Sequence, residues 1–142
     1  MGARSSLGDF KAMDLTEAKN KLEGYFITLG LTYQLIGEGT WVVTDDDAGV
    51  HQVVVVIEDP IVIVRVTVMP LPQKNREPFF ETVLRMNAND LFHVAYAVEG
   101  EHLILSNSFI LQTLDLEELQ GAFDEIGLAL IQHYTILTKY RN

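Results

Sequence analysis

The residues best able to do chemistry in this chain are four histidines, His51, His93, His102 and His133. Neutral imidazole suits metal binding and proton transfer near neutral pH. Their spacing matches neither HxH nor HExxH, so no metal site is marked. Carboxylates are plentiful, but acid–base catalysis needs two of them held in different environments, and Glu17 with Glu23, or Glu117 with Glu118, carries no such signal. Ser106 and Ser108 fall in a strand-like run and not at a G-x-S-x-G elbow. Cysteine is absent, which removes disulfides, thiolate ligands and thiol nucleophiles. No G-x-G-x-x-G or Walker loop is present. The expectation is a protein without catalytic residues, metal ligands or cofactor.

Three other residues suit contact with a partner. Tyr33 and Trp41 flank a glycine turn on short strands, and aromatic side chains carry much of the energy of interfaces. Arg65 is the one charge inside a long apolar run. Each has a structural alternative: Trp41 as a cap on the core, and Arg65 as the partner of a carboxylate. A pocket near Trp41 and Arg65, serving a small-molecule sensor or an enzyme, is a second functional reading. A structural subunit of an assembly is a third.

Composition narrows the classes. The chain has 142 residues, 48% of them hydrophobic, and a formal net charge of -10. That length supports one domain with one core. Binding to a polyphosphate backbone or an anionic membrane needs clustered positive side chains, and no basic cluster occurs. No Lys or Arg lies between Arg85 and Lys139. The start of the chain lacks the apolar run of a signal peptide, and no stretch reaches transmembrane length. Together with the missing cysteines, this favours the cytoplasm.

The elements that must position these residues follow from periodicity. Residues 1–12 read as a flexible tail, and 13–142 as a single domain. Asp14 followed by Glu17 reads as a capping box. Leu15, Ala18, Leu22, Phe26 and Leu29 then give one apolar helical face, which Gly30 ends. Strands are expected over 31–36 and 40–44. The acidic turn 45–49 follows; it resembles a fragment of a calcium loop but lacks the terminal Glu. The runs 50–57 and 61–69 are dense in Val and Ile, so both strands are expected to be central and covered on both faces.

A second helix should begin near Pro78 and bury Phe79, Phe80, Val83, Leu84 and Met86, with Asn87 to Asp90 closing it. A hairpin is expected with strands over 91–98 and 102–110, turning at Gly100. Its small residues, Ala95, Ala97, Ser106 and Ser108, leave room for a helix or a second subunit. Asp115 with Glu118 reads as a second capping box, opening a long helix whose stripe includes Leu116, Leu119, Phe123, Ile126, Leu130, His133 and Leu137. The resulting order is α-β-β-β-β-α-β-β-α, an α+β fold with an antiparallel sheet packed against helices.

The stretch Leu84-Arg85-Met86-Asn87-Ala88-Asn89-Asp90-Leu91-Phe92, with the hairpin after it and Leu114-Asp115-Leu116-Glu117-Glu118-Leu119 opening the last helix, resembles the YbjN-type family of bacterial sensory transduction regulators. More distantly the chain is similar to the type III secretion chaperones of the Tir-chaperone class. The resemblance is best over 76–134. It implies a helix-and-meander fold, often dimeric, and a non-enzymatic chaperone-like or regulatory role. It also implies a homodimer that holds an extended or partly folded protein segment, binding neither nucleic acid nor membrane. Asn87, Asp115 and Gly100 are expected to act as structural cap and turn residues.

Overall fold

A computed structural model describes residues 13–141, and the expected tail over 1–12 lies outside them. The observed elements are α1 (Leu15–Thr28), β1 (Thr32–Gly37), β2 (Thr40–Asp45), β3 (Val50–Glu58), β4 (Ile61–Pro70), α2 (Arg76–Asn89), β5 (Ala95–Glu99), β6 (His102–Ile110) and α3 (Leu116–Thr138). This is the expected order. The strands form one antiparallel sheet in the order β1-β2-β3-β4-β6-β5. The first four are a meander joined by short turns. Helix α2 then carries the chain from the middle of the sheet to its far edge, and β6 returns to fill the gap beside β4.

Local chemistry starts and stops the helices. The Asp14 carboxylate accepts from the Thr16 amide at 2.7 Å, satisfying one of the amides that a first turn leaves without a partner. The cap is therefore made by Asp14 to Thr16, and Glu17 adds a favourable charge to the first turn. Gly30 sits at φ +71, the left-handed conformation a helix exit requires. At α3 the capping box is complete: Asp115 accepts from the Glu118 amide at 2.8 Å, and Glu118 accepts from the Asp115 amide at 3.0 Å.

Strand alternation divides the sheet into two unlike faces. One face carries Trp41, Val43, Val53, Val55, Val62, Val64, Leu103 and Leu105, all fully buried. All three helices lie against it. Phe26 of α1 meets Trp41 edge-on at a centroid distance of 5.5 Å. Helix α2 reaches the same side through Phe79, Val83 and Met86, which join the core, and α3 through His133, which bonds the Tyr96 hydroxyl. Burying side chains of this size contributes roughly 1.5–3 kcal/mol each, so this side holds most of the stabilising area.

The opposite face carries Val42, Val54, Val56, Ile63, Arg65 and Ser106 in cross-strand register. No described helix packs on it, and its valines and isoleucines are half-buried. This corrects the expectation for the two Val/Ile-rich strands: β3 and β4 are central, but among the described residues one face of each is without a covering helix. Dense β-branched sequence reports a central position, not two covered faces.

Two further expectations are revised. Leu84 is 65% exposed and points away from the core, which α2 reaches through Phe79, Val83 and Met86. The hairpin's first strand begins at Ala95, four residues later than its apolar alternation indicates. The amides of Phe92, His93 and Val94 are taken by a side chain from α3, described below, and so do not join the ladder. The acidic turn closes on itself: Asp45 accepts from the Ala48 amide, and Gly49, at φ +69, completes it.

Candidate functional site

The sheet has two edges, and the chain treats them differently. At the β5 edge the Asn87 side chain, in the last turn of α2, faces Tyr96. Its Oδ1 accepts from the Tyr96 amide at 2.7 Å and its Nδ2 donates to the Tyr96 carbonyl at 3.1 Å. A primary amide offers the same donor and acceptor as a peptide group. Asn87 therefore stands in for one residue of a further strand and occupies the edge of β5. The expected helix-ending role of Asn87 resolves into this specific pairing, while the helix itself runs on to Asn89.

A polar chain lies beside it, running from the surface carboxylate of Asp90 into the core. His133 is 2% exposed. Its Nε2 lies 2.9 Å from Asp90 Oδ2, and its Nδ1 lies 2.7 Å from the Tyr96 hydroxyl. Ionised Asp accepts only, so Nε2 carries a proton and donates to Asp90; in the neutral ring, Tyr96 then donates to Nδ1. Burial, with a smaller contribution from the Asp90 charge, holds the Tyr96 hydroxyl far above its ordinary pKa. The order Asp–His–hydroxyl superficially matches a nucleophile triad. The hydroxyl, however, is buried and held protonated, out of reach of any substrate. The chain locks the end of α2, strand β5 and helix α3 together.

Glu125 of α3 completes that corner. Its carboxylate accepts from the amides of Phe92 at 2.9 Å, His93 at 3.0 Å and Val94 at 2.7 Å. Burial alone would raise its pKa. The three amides, with the nearby His93, outweigh that and hold it below its ordinary 4.5. None of this was visible in sequence, because Glu125 lies 31 to 33 residues from its partners and has no local signature.

The β1 edge is built otherwise. Strand β1 pairs only with β2, and among the described residues no hydrogen bond crosses its outer side. Its sequence, Thr-Tyr-Gln-Leu-Ile-Gly, contains no charge and no proline. Leu35 is 44% exposed and Ile36 56% exposed. One irregularity interrupts the register between Leu35 and Gly37, which leaves Thr32 to Leu35 as the regular part of the edge.

The three expected partner contacts occupy three different settings. Trp41 is fully buried, and its Nε1 donates to Glu23 of α1 at 2.8 Å, so its ring caps the core and presents no surface. Tyr33 is half-buried on β1 against Phe26 at 5.3 Å. Arg65 lies on the helix-free face and reaches across β6 to Glu99 at 2.6 Å. Trp41 pairs through Val55 with Val64, so Arg65, one residue on, points to the other side of the sheet. No pocket can join Trp41 to Arg65. Gly100 turns the last hairpin at φ +60. Among the described residues, no three His, Asp or Glu side chains converge to hold a metal ion, and no helix is long and apolar enough to cross a membrane.

A single sheet with helices on one face and this element order defines a known class. The CesT_Tir_1 family model matches residues 15–142, and the chain belongs to that family. Among solved structures, the chain is similar to YbjN from E. coli, with a TM-score of 0.64 and 14% identity, covering 82% of this chain and 91% of that one. It is similar to a chain in the structure of the Yersinia pestis type III secretion chaperone SycH in complex with a stable fragment of YscM2, with a TM-score of 0.57 and 17% identity, covering 84% and 98%. A chain of the HopA1–SchA chaperone–effector complex matches with a TM-score of 0.57 and 12% identity, covering 91% and 98%. At these identities the likeness concerns the fold. No curated protein sequence matches the chain.

Proposed function

We propose that this protein is a non-enzymatic, chaperone-type binding protein that takes up an extended segment of a partner protein along the β1 edge. The observation that carries the reading is the contrast between the two edges. A strand edge presents unpaired N–H and C=O groups, and folded proteins commonly cover or charge such edges. Here Asn87 takes both main-chain groups of Tyr96 on the β5 edge, while β1 is uncharged and, among the described residues, unpaired on its outer side. An added strand would gain main-chain hydrogen bonds there, and side chains at alternate positions would set specificity. Tyr33 lies beside that strand. Family membership supports the reading, as do the fold-level likenesses to a chaperone bound to a fragment and to a chaperone–effector complex.

The net charge of -10 keeps such a binder soluble and favours basic partners. The protein acts in the cytoplasm as a homodimer, and the helix-free sheet face around Val54, Ile63 and Arg65 is where the second copy packs. Affinity purification from native extract, followed by hydrogen exchange on the recovered complex, tests the reading. The expected result is a stoichiometric protein partner and slowed exchange of amides within 32–35. A partner that protects β5 and leaves β1 unchanged would overturn it. Light scattering across micromolar concentrations tests the dimer, and a monomeric mass throughout would exclude it.

A further inference from the structure

A second surface, remote in chemistry from β1, lies along the outer side of α3. The inward stripe of this helix is buried, yet Leu128 is 57% exposed and Ile131 73% exposed on its outer side. Two shallow grooves flank Leu128. One, of about 380 Å³, runs between α3 and the segment before β5, with Phe92, Glu125 and Gln132 in its wall. The other, of about 400 Å³, runs between α3 and the β2–β3 turn, with Ala48, Gly127 and Ile131 in its wall. Both are built features. The first is held by Glu125, whose three amide bonds fix the loop so that Phe92 stands 87% exposed beside the helix. The second depends on Gly127: a Cβ there would lie 2.9 Å from the Ala48 carbonyl oxygen, so only glycine lets the turn approach so closely.

Carboxylates border both grooves. Asp124 borders both, Asp90 borders the first and Asp47 the second. No Lys or Arg occurs between positions 85 and 139, so His93, in the wall of the first groove, is the one side chain of α3 and the loop before β5 that can bring positive charge to this surface, against three aspartates. Exposed apolar side chains rimmed by polar groups mark interaction sites. A ridge with a groove on each side is the surface that a second helix meets by interdigitation.

We propose that this face of α3 docks a basic amphipathic helix of a partner protein. The partner's apolar residues would sit on either side of Leu128, and its lysines or arginines would face Asp47, Asp90 and Asp124. The site is independent of β1: it takes a helix where β1 takes an extended strand.

The test titrates the full chain, followed by NMR, with a Leu/Lys peptide of about five helical turns whose leucines form one stripe. A peptide of identical composition with the stripe scrambled is the control. Saturable shifts centred on Phe92, Leu128 and Ile131 are expected, with the scrambled peptide binding at least about tenfold more weakly. The double variant L128K/I131K should lose at least about tenfold in affinity, and D47N/D124N should weaken binding and flatten its salt dependence. Both pairs lie on the surface, and thermal melts confirm that the variants fold; L128A/I131A serves if the lysine pair does not. Equal binding of both peptides, shifts centred on β1, or affinity unchanged in L128K/I131K would overturn the proposal. So would a dimer of the unliganded chain that L128K/I131K converts to monomer, since a second copy would then cover the face. Failure of the β1 reading leaves these outcomes unaffected, because none of them reads exchange at 32–35.

Discussion

The β5 and β1 edges close the same sheet and are finished in opposite ways. At β5 a side chain imitates one residue of the missing strand, and the chain from surface Asp90 through buried His133 to Tyr96 holds that imitation in place. At β1 nothing among the described residues replaces the missing strand. The open edge is not a residue of poor design, because the same fold shows how an edge is covered when it must be. Edge coverage is thus a local choice made by a few polar side chains, and the proposed entry of a partner strand rests on the edge where that choice is left out.

The comparison can be broken most severely at His133. Replacing it with Ala removes a buried ring and leaves the Tyr96 hydroxyl and its neighbours unpaired, a loss of about 3–4 kcal/mol of stability. Urea unfolding measures it. In the His133→Ala background, Tyr96→Phe should cost much less than it does alone, because the hydroxyl has already lost its partner. Equal costs in both backgrounds would show that the two groups are not coupled.

Asn87→Ala comes next, at about 2 kcal/mol, because both main-chain groups of Tyr96 lose their partner at once. Asn87→Asp should be intermediate, since a carboxylate can still accept from the Tyr96 amide but cannot donate to its carbonyl. The sharper outcome is association. If Asn87 guards the edge, the Ala variant gains concentration-dependent self-association by light scattering, and the wild-type edge preference for β1 is lost.

How much of this was legible in sequence depends on the range of the interaction. The element order, both N-caps, the exit at Gly30 and the turn at Gly100 all rest on neighbours within a few residues, and the periodicity reported them. The start of β5 did not, because Phe92 and Val94 continue the strand pattern while their amides are claimed by Glu125 more than 30 residues away. For Trp41 the sequence favours a core cap over a surface aromatic without deciding between them; Glu23, on a helix that touches it only after folding, decides for the core. The two edges look alike in sequence for the same reason. Strand propensity is local, while a cap such as Asn87 on Tyr96 depends on where α2 ends relative to β5.

Glu125→Gln should have a smaller effect, about 1 kcal/mol near neutral pH, because one amide oxygen remains to accept. The pH dependence is more telling. The folded carboxyl titrates below its ordinary 4.5, so its contribution is fully present above that pH and falls away as the pH drops through the lower, folded value. Wild type and variant should therefore differ in melting temperature at pH 7 and converge in acid. A gap that stays constant as pH falls would mean the charge on Glu125 is not what holds the 92–94 loop.

The smallest effect on stability belongs to the open edge. Ile36 is exposed, beside the register irregularity, and supports no core packing, so Ile36→Lys should change stability by no more than about 0.5 kcal/mol. A lysine on a strand edge is nonetheless a strong deterrent to further pairing. The same variant should therefore recover markedly less partner in affinity purification and lose the exchange protection over 32–35. A change this small in folding and this large in capture would separate the two edges by purpose: β5 is finished for stability, while β1 is kept open for binding. Undiminished capture by Ile36→Lys would instead move the partner site off this edge.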